Sequence, residues 1–592
     1  MDKKRENPLE LVLPTWDLTD LYDTPNSLKI ENDLSWLEVK SLKFQRNYTG
    51  RLASFTGLKL ANAIQKYEKI VDRSHRLVSY AQLLYACNTI DQETGVFYQN
   101  ITERVNQIFS NCIFFQIEIN QIQNKTLTQQ MNDKRLKHFE PWVFSRRVLR
   151  KFQLSEILED ILHQKALTGR AAWCRLFDET MASFKFVLAG EEKTLGDVLN
   201  NFSDDDPKVR KRSAKVLGAA LQEKAASLSL ILNTLVKDKE IEDSLRGYKS
   251  PVSQKNCENQ VEDSVVEALV SATKDNYKQL SHRYYTIKAK WFKTPKLDYW
   301  DRNAPMPLGE QREYSWNEAK TLVLGAYNEF HPEMGNIALR FFNEKWIDAN
   351  PRSGKNSGAF SHPTVASVHP YILMNFHGKA RDVMTLAHEL GHGIHQVLAG
   401  PKGTLMAETP LTLAETASVF GEMITFQAML KAERCSNKRK VLIASKVENM
   451  LNTVVRQIAF HEFERRVHDE RKKGELSVDR LSSIWLETQS ESLGPAIRLD
   501  DSYSMFWSYV PHFIHSPFYV YAYAFGDCLV NTLFGVFESG HIDFEEKYLE
   551  MLRAGGTKKH NELLAPFNLN LAEPDFWNRG LNLVASFIDK LE

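Results

Sequence analysis

His388, Glu389 and His392 stand in the stretch RDVMTLAHELGHGIHQVLAG. On an α-helix, two residues four apart project from nearly the same face, one turn from each other. Two imidazoles so placed can hold one Zn²⁺ ion, and Glu389, beside the first of them, can act as general base toward a water there. The bland alternative is a pair of surface histidines on a charged helix. It is disfavoured because the flanking residues also fit and a third ligand is at hand.

Catalytic zinc takes three protein ligands and keeps an open position. One arrangement places the third ligand on the same segment, as HExxHxxGxxH. Here His395 occupies the glycine position and Leu398 the last position, so that pattern fails. The other arrangement takes a Glu from a following helix. The segment ETPLTLAETASVFGEM offers Glu408, Glu415 and Glu422. Glu415 sits mid-pattern on an expected helix among Leu413, Ala414, Ala417 and Val419, where a carboxylate without a task is poorly placed. It is the expected ligand. Glu422, two turns along the same face, and Glu408, ahead of the helix, are candidates to orient a ligand histidine, which commonly needs such a carboxylate. His395 reads as a supporting or core histidine.

These side chains need a scaffold. Apolar residues at three- and four-residue spacing predict helices over 58–90, 94–131, 208–245, 259–291, 440–475 and 517–539. The charge-dense run HEFERRVHDERKK (461–473) reads as a solvated helix face. It is not a second metal motif, because Arg465 stands where a second His is needed. Strand signals gather at 291–305 and 356–378. PYILMNF alternates as a strand buried on one face does, and its backbone is a candidate for pairing with a bound peptide. The Pro- and Gly-bearing loop over 399–410 then separates the metal helix from the next one. Asp204 to Asp206 with Pro207 would cap a new helix. That break divides the chain into an N-terminal helical region, 1–205, and a catalytic region, 206–592.

A chain of 592 residues outgrows a single core, so two or more lobes are expected. Lys plus Arg equals Asp plus Glu, 75 each, which argues against a nucleic-acid partner. The charged N-terminus is not followed by an apolar run long enough for a signal peptide, and no stretch suits a membrane span. The six cysteines lack CxxC spacing and read as thiols of a reducing compartment, so a cytoplasmic location is expected.

HELGHGIH with ETPLTLAETAS resembles the M3 family of zinc peptidases, and within it the oligoendopeptidase F group. TWDLTDLY (15–22), DYWDRNAP, SGAFS (357–361), HSPFYVYAYAFG (515–526) and the tail AGGTKKHNELL…EPDFW are similar to that group as well. The resemblance implies a mainly α fold, with two helical lobes around a deep substrate channel and a small sheet beside the zinc helix. It implies an endopeptidase with one zinc per chain that cuts internal bonds of short, unstructured oligopeptides, with Glu389 as base. It also implies a His and tyrosines that stabilise the oxyanion, drawn from a C-terminal segment. VPHFIHSPFYVYAYAFG offers His512, His515, Tyr519, Tyr521 and Tyr523. With Ser516 as N-cap and Pro517 as first helical residue, Tyr519 and Tyr523 share a face and Tyr521 points elsewhere. His512 and Tyr523, then Tyr519, are the favoured donors; the alternative for any of these tyrosines is an aromatic stripe in the core. Two other functions compete. A carboxypeptidase or dipeptidyl carboxypeptidase would need a cation for the substrate's C-terminal carboxylate. A non-catalytic peptide-binding scaffold would be expected to have lost a ligand or the base.

Overall fold

The computed structural model describes residues 13–592 except 189, 308–311 and 410. The stretch read for a leader lies partly outside the described residues, over 1–12, as does Pro410 of the loop after the metal helix. Among the described residues the chain is mainly helical, with three small sheets. No helix there is long and apolar enough to cross a membrane, and the six cysteines form no disulfide.

The chain packs as two compact units of discontinuous segments. The first takes 1–150, 311–433 and 540–568; the second takes 151–310, 434–539 and 569–592. The junction expected at 205/206 falls inside the second unit. Asp206 caps a helix there, its carboxylate accepting from the Lys208 N–H at 2.8 Å, and Pro207 is the first helical residue. The long helical stretches are realised in pieces. The 208–245 pattern becomes Pro207–Glu223 and Ala225–Arg246, and 94–131 becomes three helices.

In the first unit a three-stranded sheet precedes the metal helix. Tyr371–Leu373 is its central strand, parallel to Ile347–Asp348 and antiparallel to Phe360–His362. Tyr371, Ile372 and Leu373 are all buried, so the one-sided burial read from PYILMNF does not hold. A central strand is covered on both faces and hydrogen-bonded on both edges. Its backbone therefore has no free edge for a peptide, whereas Phe360–His362 is an edge strand. Ser361 ties that strand to the metal helix: its hydroxyl donates to Gln396 Oε1 at 2.9 Å, and Gln396 Nε2 donates to its carbonyl at 3.2 Å.

The metal helix runs from Ala380 to Ala399. Its start is held by Asp382, which accepts from the backbone N–H groups of His377 and Lys379 at 2.8 and 2.9 Å. It packs along the helix Thr416–Ala432. Glycine permits the close approach: a Cβ on Gly391 would sit 2.4 Å from the Ala417 carbonyl oxygen. Buried tyrosines brace both backbones. The Tyr327 hydroxyl donates to the Ala387 carbonyl at 2.7 Å, and that of Tyr548 to the Thr416 carbonyl at 2.9 Å.

In the second unit the helix Val455–Arg471 packs against Ala225–Arg246, Val478–Leu493 and Tyr521–Glu538. The expected solvated face is mostly buried: His461, Glu462, Glu464 and His468 are all covered. With helices on several sides its charges are paired instead. Lys274 donates to Glu462 at 2.6 Å and Arg465 to the same carboxylate at 2.8 Å.

Candidate metal centre and active site

His388 and His392 place their Nε2 atoms 3.1 Å apart. Glu415 Oε2 lies 3.4 Å from the first and 3.5 Å from the second. Four ligands placed tetrahedrally around zinc at its usual bond lengths stand about 3.3–3.4 Å apart. The three atoms thus have the spacing of three corners of one zinc polyhedron, and two imidazoles with one carboxylate are a donor set suited to that ion. Among the described residues, His388, His392 and Glu415 are the group of donors close enough together to hold a metal.

Glu415 does not sit within a helix as the sequence pattern suggests. It is the N-cap of Thr416–Ala432, at the joint with the short helix Leu411–Ala414. That joint frees the side chain to reach across to the metal helix. Ser418, one turn on, donates its hydroxyl to Glu415 Oε2 at 2.7 Å, a contact that ETAS carries but sequence reasoning passed over. Glu422 accepts from His388 Nδ1 at 2.7 Å, which turns Nε2 toward His392 and Glu415, as a carboxylate that orients a metal-binding histidine would. Glu408 does not share that task; it is exposed and lines a cavity of 890 Å³ with His362, His392, His395 and Gln396. His395 is buried there, beside the ligand set rather than in it.

The electrostatics follow from burial and four clustered groups. Burial disfavours charge on His388, but the Glu422 hydrogen bond and the charges of Glu422, Glu415 and Glu389 outweigh it and raise its pKa to about 9. Burial, then the His388 charge, lowers His392 to about 4. Glu389 is only 6% exposed, and burial, with the charges of Glu415 and Glu422, raises it to about 7. A carboxyl held there can take and return a proton near neutral pH.

The C-terminal candidates lie in the second unit. His512 Nε2 is 3.3 Å from the Tyr523 hydroxyl, and the Tyr519 ring lies 5.9 Å from His512 and 5.2 Å from Tyr523. The expected helix start at Pro517 is not formed. His512–His515 is a short helix, Phe518 adopts a left-handed φ of 59°, and the long helix begins at Tyr521. The Phe518 N–H is caught by the buried Glu464 at 2.8 Å. The kink still leaves Tyr519 and Tyr523 together. Tyr521 points into the core, where Asn259 Nδ2 donates to its hydroxyl at 2.8 Å. His515 turns away to Asp178, 2.8 Å from its Nε2.

Comparison with known proteins places the chain in a family. The model of peptidase family M3 matches residues 202–583, and that of the oligopeptidase F N-terminal region matches 118–186. Oligopeptidase PepF of Bacillus subtilis is 24% identical over 98% of this chain and 87% of its own length. A solved structure from Chlamydophila abortus superposes with a TM-score of 0.87 at 22% identity, covering 98% of this chain and 97% of that one. Oligoendopeptidase F from Enterococcus faecium superposes with a TM-score of 0.71 at 21% identity, covering 95% and 98%. A family model that spans most of the chain, over a half-buried His–His–Glu cluster with an adjacent buried Glu, makes this chain a member of peptidase family M3 and a metalloendopeptidase of the oligoendopeptidase F type.

Proposed function

We propose that the chain is a zinc-dependent endopeptidase that hydrolyses internal bonds of short, unstructured oligopeptides in the cytoplasm, with residues 206–592 as its catalytic region. The observation that carries this reading is the convergence of His388 Nε2, His392 Nε2 and Glu415 Oε2 within 3.5 Å, beside a carboxyl raised to about 7. His388, His392 and Glu415 would hold the ion. When bound, zinc supplies a Lewis acid that polarises a carbonyl and makes a neighbouring water more acidic. Glu389 takes the proton from the attacking water and returns it to the leaving amine. Glu422 keeps the His388 ring in the tautomer and orientation of a ligand, and Ser418 does the same for the Glu415 carboxylate. His512 and Tyr523, with Tyr519 beside them, donate hydrogen bonds to the oxyanion that develops as the carbonyl is attacked.

Replacing Glu389 by Gln tests the assignment. The amide cannot accept the proton, so the variant is expected to keep about one zinc per chain and to lose nearly all turnover of a short peptide. Products identified by mass spectrometry should come from internal bonds, and native globular proteins should survive. Chelator-insensitive cleavage, or full turnover by Glu389→Gln, would remove the basis for this mechanism.

A further inference from the structure

The 890 Å³ cavity of the first unit opens beside the His–His–Glu cluster, since His392 is one of its lining residues. The helix Gly57–Cys87, the end of the edge strand, the second half of the metal helix and the loop that follows it supply its walls. Two polar groups in that lining have no partner among the described residues. His395 is only 6% exposed and makes no hydrogen bond. A neutral imidazole keeps one acceptor nitrogen, and burying it unpaired is costly unless a bound group completes it. Glu408 is exposed, and its carboxylate takes part in no ion pair or hydrogen bond.

The other charges around the cavity are already answered. Among the described residues, Arg340 is the one arginine or lysine of the lining; it donates to Glu344 Oε1 at 3.0 Å and lies 4.8 Å over the Trp346 ring. His369 faces Asp20, 2.9 Å from its Nε2. His362 Nδ1 accepts from the Thr364 N–H at 3.0 Å, so its Nε2 carries the hydrogen and donates to Gln82 Oε1 at 3.3 Å. Burial lowers His362 to about 4 and lowers His75 as well, so neither imidazole brings a positive charge at neutral pH. Asp72, close enough for its charge to act on His75, takes the Ser367 and Thr404 hydroxyls at 2.8 and 2.7 Å but no cation. The local balance is therefore negative. Val78, Pro363, Val365 and Val397 give the cavity an apolar wall. A free carboxylate, an imidazole acceptor and an apolar wall fit a side chain that is aliphatic along its length and cationic at its tip.

We propose that this cavity is a subsite for one basic side chain, lysine or arginine, of a peptide substrate, and that Glu408 selects it. The choice of a peptide rests on the oligopeptidase reading above; the preference for a cation rests on the cavity alone.

The test uses quenched fluorescent peptides of one neutral sequence, in which a single position carries either lysine or norleucine and that position is moved along the peptide. Mass spectrometry of the products places each substitution relative to the cut bond. At one position beside that bond, lysine should lower the wild-type KM about tenfold relative to norleucine, the scale of one charge-assisted hydrogen bond. In Glu408→Gln the ratio should fall to near one, and in Glu408→Lys a glutamate at the same position should be preferred to lysine. Equal KM values for lysine and norleucine at every position, or a lysine preference that survives Glu408→Gln, would overturn the proposal and leave the oligopeptidase reading intact. Thermal unfolding of the metal-loaded Glu389→Gln protein reads binding without cleavage. The lysine peptide should raise its Tm more than the norleucine peptide does, and adding Glu408→Gln should abolish the difference. If the wild type cuts neither peptide but this Tm difference is found, the subsite stands and the oligopeptidase reading falls.

Discussion

Gly391→Ala in the metal motif separates two opposing effects. In an isolated helix the change would stabilise by about 1 kcal/mol, since alanine is the better helix former. Here the new Cβ would lie 2.4 Å from the Ala417 carbonyl oxygen and 2.6 Å from Ser418 Cα, both backbone atoms of the helix that follows Glu415. Ordinary carbon contacts need about 3.5 Å, so the two helices must part by about 1 Å at their closest point. Such overpacking costs roughly 1–3 kcal/mol, enough to outweigh the propensity gain. The displacement falls on Ser418, whose hydroxyl holds Glu415 Oε2, so the proposed third ligand would move away from the histidines. Misplacement of about 1 Å at a catalytic group costs on the order of 100-fold in rate. The variant should therefore melt below the parent in chelator, lose a competition for zinc against a chromophoric chelator, and turn over a short peptide about 100-fold more slowly. Gly325→Ala is the control. It lies in the helix Trp316–Phe330 with no atom near its would-be Cβ, and should stabilise by roughly 0.5–1 kcal/mol with activity intact. Wild-type zinc affinity and turnover in Gly391→Ala would refute the claim that this contact positions Glu415.

Three further outcomes are expected. Glu422→Gln should weaken zinc about 10- to 100-fold through the His388 ring it orients, read by the same chelator competition. Tyr523→Phe should lower kcat about 100- to 1000-fold with little change in KM, whereas Tyr521→Phe should keep kcat and lose roughly 0.5–1.5 kcal/mol of stability with its Asn259 bond. Buried His461 and His468, lowered by burial to about 4 and 3, stay neutral in the fold while the unfolded chain protonates near 6.5. Their stabilisation is complete above pH 6.5 and is lost as pH falls toward 4, by about 1.4 kcal/mol per pH unit for each. Glu464, raised to about 8 by burial, works oppositely, stabilising below its unfolded value and losing that contribution as pH rises through 8. Denaturant midpoints of the wild type and His468→Asn across pH 4.5–6.5 should show a shallower acid limb in the variant.

What could be read directly from the chain is what local periodicity determines. The 3.6-residue turn places His388 and His392 on one face wherever their helix lies, and Asp206 with Pro207 starts a helix through bonds within three residues. The motif likewise marks Glu389 as the proposed base, because it is adjacent to His388 in sequence. Long-range packing decided the rest. Glu415 reaches the histidines because a helix joint releases its side chain and a glycine lets two helices touch, and neither leaves a periodic signal. PYILMNF was misread because alternation reports one covered face, and a central strand has two. The tyrosine register depended on the left-handed turn at Phe518, held by Glu464 from another helix. The run at 461–473 looked solvated because charge density records composition, not whether Lys274 and neighbouring helices are there to pair and bury it.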